Sequence, residues 1–279
     1  EYLCYPRGAH SIAFIKAVFI YHRLWVIDMH IIEGLFKGPM TTVRGEAGRR
    51  EERFDAVLPS ETALVALRDG ARYPELEAVR QALLGWRLYH DFRTDPASPI
   101  RQPCQAIVTP TLAADGSDLA AVLATLALIR QDTVEIDEAI ADAFPGAAIH
   151  AFDAGGSCRF EMKFPDMPRA FAAHELSDGT VKYLCLLGAL LSYRMPSMVA
   201  LNEPEASLHP SLLPPLARLI GKAVEQSRLW VVTHSDTLAE AIERETLAAP
   251  RRVEKIDGAT RIAGLSSTGE WREERDDES

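Results

Sequence analysis

The sequence has little cysteine, no long apolar run and no excess of positive charge, and each shortage removes a class of function. Its four cysteines (Cys4, Cys104, Cys158, Cys185) are scattered, with no CxxC pair and no zinc-like spacing. That excludes a disulfide framework or zinc module and fits reduced, buried thiols in a cytoplasmic protein. The longest apolar stretch, Ile12 to Ile32, is broken by Lys16, His22, Arg23 and Asp28. It falls short of the ~20 apolar residues a membrane span needs, and no small-residue cleavage site follows it, so neither a membrane anchor nor a signal peptide is expected. A net charge of −10 argues against a protein that coats nucleic acid through its overall field. Arg44, Arg49, Arg50 and Arg53 lie close together, but Glu46, Glu51 and Glu52 interrupt them, as in a solvated turn. No internal repeat or low-complexity tract is present.

What remains is a soluble globular composition of 279 residues, 47% hydrophobic and 25% charged, enough for one large or two small domains. The chain opens on Glu1 rather than methionine, which suggests a fragment or a processed start. Residues 1–58 read as an uncertain, strand-rich remnant, with Ala13–Tyr21 and Leu24–Ile32 as strand candidates. Residues 59–146 read as a helical insertion with a proline-rich connector. Ser60 caps a short helix ending at Gly70, and Pro74 opens another running to about Trp86. Asp91–Pro110 carries Pro96, Pro99, Pro103 and Pro110 and is expected to be extended. Helices follow from Ser117 to about Arg130 and from the capping box Asp132–Glu135 to Pro145. Ala147–Phe152 and Cys158–Phe164 flank a Gly-Gly turn and predict a hairpin, with Phe160, Met162 and Phe164 facing a core.

From Ala173 short apolar strands alternate with helices: a helix over Val181–Leu191, a strand Met198–Leu201, a helix Ser211–Glu225, a strand Leu229–Val232 and a helix from Thr237. This order predicts a parallel sheet covered on both faces. The charged tail, 266–279, is expected to be disordered.

Three segments of this region end in polar groups suited to phosphate chemistry. Met198–Leu201 ends in Asn202-Glu203-Pro204, where a buried parallel strand would meet a ligand at the carboxyl edge of the sheet. A strand end with a solvated glutamate would look the same. Leu176-Ser177-Asp178-Gly179-Thr180 stands directly before a helix. Its glycine permits close approach to an anion and its N–H groups would point at a phosphate, although a plain N-cap has the same composition. Thr233-His234-Ser235 follows the next strand and places a histidine at the same edge, or one satisfied by a neighbouring loop.

Order and spacing join the three. Ser177 precedes Glu203 by 26 residues and His234 follows it by 31, each interval holding one helix and one strand. With the run Asn202-Glu-Pro-Glu-Ala-Ser-Leu-His-Pro210, the chain resembles the ABC ATPase superfamily, in particular its SMC/RecF-like branch of bacterial AAA-type ATPases. Leu176–Thr180 is similar to the signature motif, Met198–Glu203 to Walker B, Ala206–Pro210 to the D-loop, and His234 to the switch histidine. Trp86–Phe92 and Asp115-Gly-Ser-Asp118 resemble the same branch less specifically.

The resemblance implies an α/β, ABC-ATPase-like P-loop NTPase fold with a largely parallel sheet, a helical and antiparallel insertion, and an incomplete N-terminal lobe. Its catalytic core would span residues 147–265. The resemblance also implies ATP and Mg²⁺ and a homodimer that sandwiches two nucleotides. Glu203 would be the general base, His234 the γ-phosphate sensor and Asn202 the Mg²⁺ contact. Ser177, Asp178, Gly179 and Thr180 would serve the partner's nucleotide, and Ser207 and His209 would communicate across the dimer. DNA is a partner by family analogy only.

Two departures stand out. Asn202 occupies a position where the superfamily usually has Asp, and the 279 residues contain no GxxxxGKS/T loop, Gly45–Gly48 being the nearest approach. A non-hydrolysing nucleotide-binding or structural subunit, or an inactive fragment, is therefore the alternative. A metal hydrolase built from Glu203, Glu205, His209 and His234 would lack spacing such as HExxH.

Overall fold

The computed structural model describes residues 2–4, 23–26, 29–33, 41–44, 50–53, 68–71, 74–130, 134–256 and 259–263, the first five segments and 74–76, 129–130, 256 and 259–260 as backbone. The strand expected at Ala13–Tyr21, most of the helix expected from Ser60, and the tail 266–279 lie outside these residues. The chain divides into two units: Glu1–Pro6 with Trp86–Ala263, and Arg7–Gly85 with Gly264–Ser279.

The second unit holds an antiparallel meander of β2 (Arg23–Val26), β3 (Met29–Glu33), β4 (Thr41–Arg44) and β5 (Arg50–Arg53), plus helix α1 (Pro74–Leu84). The expected single strand Leu24–Ile32 is in fact the pair β2–β3. Helix α1 stops two residues before the expected end at Trp86, because Trp86 opens a strand of the first unit.

That unit is built on a six-stranded sheet in the order β14-β13-β1-β12-β11-β6. Its strands are β1 (Tyr2–Cys4), β6 (Trp86–Tyr89), β11 (Met198–Asn202), β12 (Arg228–Thr233), β13 (Arg251–Ile256) and β14 (Ala259–Ile262). β11 pairs in parallel with both β12 and β6, from Met198 opposite Arg228 and Trp86 to Asn202 opposite Val232. β1 and β14 run antiparallel to their neighbours. The apolar sequences Met-Val-Ala-Leu and Leu-Trp-Val-Val suit strands covered on both faces. Because β6, β11 and β12 are parallel, their carboxyl ends open on one edge, and the polar residues that follow each strand gather there.

Helix α4 (Asp178–Leu190) is buried at every position from Thr180 to Leu190, as suits a central helix that is apolar all round from Tyr183 onward. It packs between α2 (Leu119–Arg130) and α5 (Leu213–Ala223). At Gly188 an added Cβ would lie 2.8 Å from Leu119 Cδ1, so a larger residue there would displace the buried Leu119 side chain of α2. Helix α5 carries Pro214 and Pro215 in its first turn, where missing N–H groups cost nothing. Its exposed Arg218 and Lys222 pair with Asp142 and Glu138 of α3 (Val134–Ala143) at 2.7 and 3.0 Å. Helix α6 (Asp236–Thr246) starts at Ser235, whose hydroxyl accepts from Leu238 N.

The expected hairpin is present as β8 (Ala148–Asp153) and β9 (Ser157–Lys163). Asp153 Oδ1 accepts from Gly156 N at 2.7 Å, and Gly155 and Gly156 take positive φ. Phe160 and Met162 are buried; Phe164 is half-buried. β9 also pairs with β7 (Cys104–Gln105) and β10 (Ala170–Ala172). The connector is therefore not extended throughout: Ser98 caps a 3-10 turn, Pro99–Arg101, that plugs Ile100 into the core before β7. Among the described residues no helix is long and apolar enough to cross a membrane.

Candidate active site

The edge beyond β11 is shaped by two backbone reversals. Glu203 N donates to Val232 O at 2.8 Å, continuing the parallel ladder one residue past the strand, and Glu203 then adopts φ 44°. Ser207 follows at φ 64°, and the amides of Ala206 and Leu208 close turns onto Glu203 O and Glu205 O. Left-handed conformations at non-glycine residues cost of order 1–3 kcal/mol each, and they persist where surrounding contacts impose them. Here Pro204, buried, and the bond to Val232 do so. The outcome is a carboxylate at the sheet's edge that is 44% exposed.

β12 delivers the second group. Thr233 is fully buried; its hydroxyl donates to Glu205 Oε1 at 2.6 Å, and His234 N donates to the same oxygen at 2.9 Å. Glu205 thus ties the loop after β11 to the loop after β12. With that tie in place, His234 Nε2 stands 3.3 Å from Glu203 Oε1. A pair this exposed contributes little to stability, so its significance is positional. The other oxygen of Glu205, Oε2, is buried and has no hydrogen-bond partner. Leaving such an atom unsatisfied is costly, which is tolerated mostly where function demands it. Sequence reasoning gave Glu205 no part in the ATPase reading. A second carboxylate two residues beyond the strand end, locked behind Pro204, was the available signal.

The third segment lies at the start of α4. Ser177 is its N-cap: the hydroxyl accepts from Thr180 N at 3.2 Å and lies 2.8 Å from Thr180 Oγ1. The plain capping role is therefore real, and it leaves Ser177 exposed while Thr180 is buried against it. Asp178 pairs with buried Arg101. Gly179 meets the turn after β11: an added Cβ would lie 2.9 Å from Ser207 O. The fold thus brings Gly179 and Ser207 into direct contact. In a helix, Gly→Ala ordinarily stabilises by roughly 0.5–1 kcal/mol. Here the opposing atom is backbone, so Gly179→Ala is expected to destabilise by about 1–3 kcal/mol in urea titration. An unchanged or raised midpoint would show that the turn yields freely.

His209 is committed locally. Its Nδ1 accepts from Ser211 N at 3.2 Å and lies 2.8 Å from Ser211 Oγ, capping the turn Pro210–Leu212. Among the described residues no three His, Cys, Asp or Glu side chains group so as to hold a metal, so the Glu203, Glu205, His209 and His234 set does not assemble into a metal centre. Asn202 opens on a small pocket that also receives His90, Asp91, Lys182 and Pro204. Lys182 is buried and 3.8 Å from the exposed Asp91 carboxylate.

The approach to Ser177 is braced at Glu175, whose carboxylate takes a bidentate contact from Arg169 and a 3.0 Å bond from Ala172 N. Arg169 in turn lies over the Phe171 ring. The Arg169 bond, helped by the backbone donor, lowers the Glu175 pKa to about 2. A depressed carboxylate contributes above its ordinary range, and the brace is lost as pH falls towards 2. An NMR titration of the Glu175 side chain should give a midpoint near 2; one near 4.5 would mean that the carboxylate is free.

Residues 42–240 match a protein family described as "AAA domain, putative AbiEii toxin, Type IV TA system". No curated protein matches the chain. Solved structures that resemble it include an Smc head domain with coiled coil and joint from Pyrococcus yayanosii, at 18% identity and TM-score 0.41, covering 53% of this chain and 28% of that one. Another, from work on ATP-driven dimerization and DNA-stimulated activation of SMC ATPases, has 17% identity and TM-score 0.40, covering 53% and 91%. A third, an Smc head bound to the C-terminal winged-helix domain of ScpA, has 14% identity and TM-score 0.45, covering 82% and 68%. The chain thus spans little more than a quarter of the first of these, and most of the other two. Since the family match takes in most of the sequence, including β11, β12 and the start of α4, the chain belongs to this AAA-domain family.

Proposed function

We propose that this chain supplies the hydrolytic edge and the partner-facing segment of an ATPase that closes as a nucleotide-sandwich homodimer. The observation that carries the reading is the Glu203–His234 pair, held at 3.3 Å by the Glu205 tie at the carboxyl edge of a parallel sheet.

ATP with Mg²⁺ would supply the scissile phosphoanhydride and the charge neutralisation that phosphoryl transfer needs. The residues present fit the γ-phosphate end of such a site: an exposed carboxylate, an exposed imidazole and, in Asn202, a neutral oxygen donor. Mg²⁺ is commonly held by one or two protein groups plus phosphates, so a dense ligand cluster is not required. Glu203 accepts the proton of the attacking water. His234 holds Glu203 in orientation and presents its ring toward the terminal phosphate. Ser177 and Gly179, with the α4 N-terminus, face the nucleotide bound by the other subunit, and Ser207 reports between the two through its contact with Gly179. The cradle for the β-phosphate is not furnished by any GxxxxGKS/T segment in these residues.

Asn202, a neutral amide at the expected Mg²⁺ contact, favours a second reading: a subunit that binds nucleotide without turning it over. Toxin–antitoxin or phage-defence activity and DNA maintenance are roles that fit the family description and its SMC-like relatives, with action in the cytoplasm. Steady-state phosphate release with Mg-ATP, by the protein expressed from its complete reading frame, separates the two readings. Saturable release that disappears in Glu203→Gln supports hydrolysis. Binding without release, insensitive to Glu203→Gln, supports the second reading.

A further inference from the structure

Arg101 closes the 3-10 turn of the connector, next to Ile100, which is 2% exposed. Its own side chain is 3% exposed, and its bonds run to three backbone carbonyls and to the exposed carboxylate of Asp178. Nε donates to Thr94 O at 2.7 Å. Nη1 donates to Ala173 O at 2.9 Å and Leu176 O at 2.7 Å, and Nη2 to Asp178 Oδ1 at 2.5 Å. Three of these four acceptors fall within residues 173–178, the segment that enters α4.

Stability alone would not choose this arrangement. A cation near a helix N-terminus opposes the helix dipole, and burying a guanidinium carries a large desolvation cost before any pairing is counted. A hydrophobic side chain would fill the volume as well. What a planar fork does, and an apolar group does not, is hold two carbonyl oxygens and a carboxylate at fixed mutual positions. Those acceptors bracket Ser177, so the fork sets the backbone path into the helix and the direction of its first free N–H groups.

We propose that Arg101 is the positioning residue for the Ser177–Thr180 segment, making the connector the element that aims it. The functional part of this inference rests on reading that segment as the one that faces the partner's nucleotide. The connector begins at His90–Asp91, beside Asn202, so it joins the chain's own hydrolytic edge to the segment presented to the other subunit.

Amide hydrogen exchange on the 279-residue chain tests the geometry without nucleotide. Arg101→Lys keeps the charge and stem but offers one ammonium, which cannot reach all four acceptors. Exchange across residues 174–181 is expected to accelerate about tenfold or more, with α5 and α6 unchanged. Asp178→Asn, which preserves shape and removes only the charged partner, is expected to accelerate the same segment by less. Unchanged exchange at 174–181 overturns the proposal. So does an equal acceleration in α5 and α6, because Arg101 would then be a general stabilising contact. Should Arg101→Lys not fold, the Asp178→Asn profile decides on the same terms. In the protein from its complete reading frame, Arg101→Lys should weaken ATP-driven association about tenfold while single-subunit nucleotide affinity stays unchanged. If the unsubstituted protein shows no ATP-driven association, the sandwich reading falls, and the exchange profile still decides the role of Arg101.

Discussion

Glu203→Gln should lower ATP turnover by ~10²-fold or more, roughly 2.7 kcal/mol of barrier, while nucleotide binding persists. The substitution is close to isosteric. Glutamine can keep the backbone bond to Val232 O, tolerate the same turn and still hydrogen-bond His234, but it cannot take a proton from water. Removing a carboxylate beside a polyphosphate also removes repulsion, so affinity should hold or rise. Phosphate release and equilibrium nucleotide binding, measured on the same preparation, separate the two effects. Turnover within a few-fold of the unsubstituted protein would place the base elsewhere, and Glu205 would be the next residue to test.

Much of the first unit was legible because its signals were local. β11 and β12 were readable as apolar runs ending in polar groups, and α4 as an apolar helix behind a Ser-Asp-Gly-Thr cap. The edge they build followed from parallel strand order alone. β6 was not legible: Trp-Arg-Leu-Tyr follows a helical pattern after one glycine, and its strand state depends on pairing with β11, more than a hundred residues away. The turn at Pro99–Arg101 was hidden by four prolines that favour an extended path. It forms because Ser98 caps it and Ile100 has a core to enter. At the site, residue types were readable and mutual constraints were not. The Glu205 tie, the contact of Gly179 with Ser207 O, and the bonds of Arg101 to Ala173, Leu176 and Asp178 all join positions distant in sequence.

Ser177→Arg should abolish ATP-driven dimerisation and lower turnover by ~10²-fold or more, while each subunit still binds nucleotide. Ser177 is exposed, and its one structural task is to cap α4, a loss worth about 1 kcal/mol. That is too little to unfold a domain of this size, so a large functional loss would report on what the exposed hydroxyl faces. A long cation there blocks close approach of the opposite subunit.

Mixing Ser177→Arg subunits with Glu203→Gln subunits tests the central claim most directly. In a mixed dimer one composite site has an intact Glu203 and an intact Ser177 from opposite chains, and the other has neither. The expected result is ATP turnover well above that of either variant alone, rising with the fraction of mixed dimers. No recovery, with mixed dimers shown to form, would put Ser177 and Glu203 in the same site and contradict the sandwich.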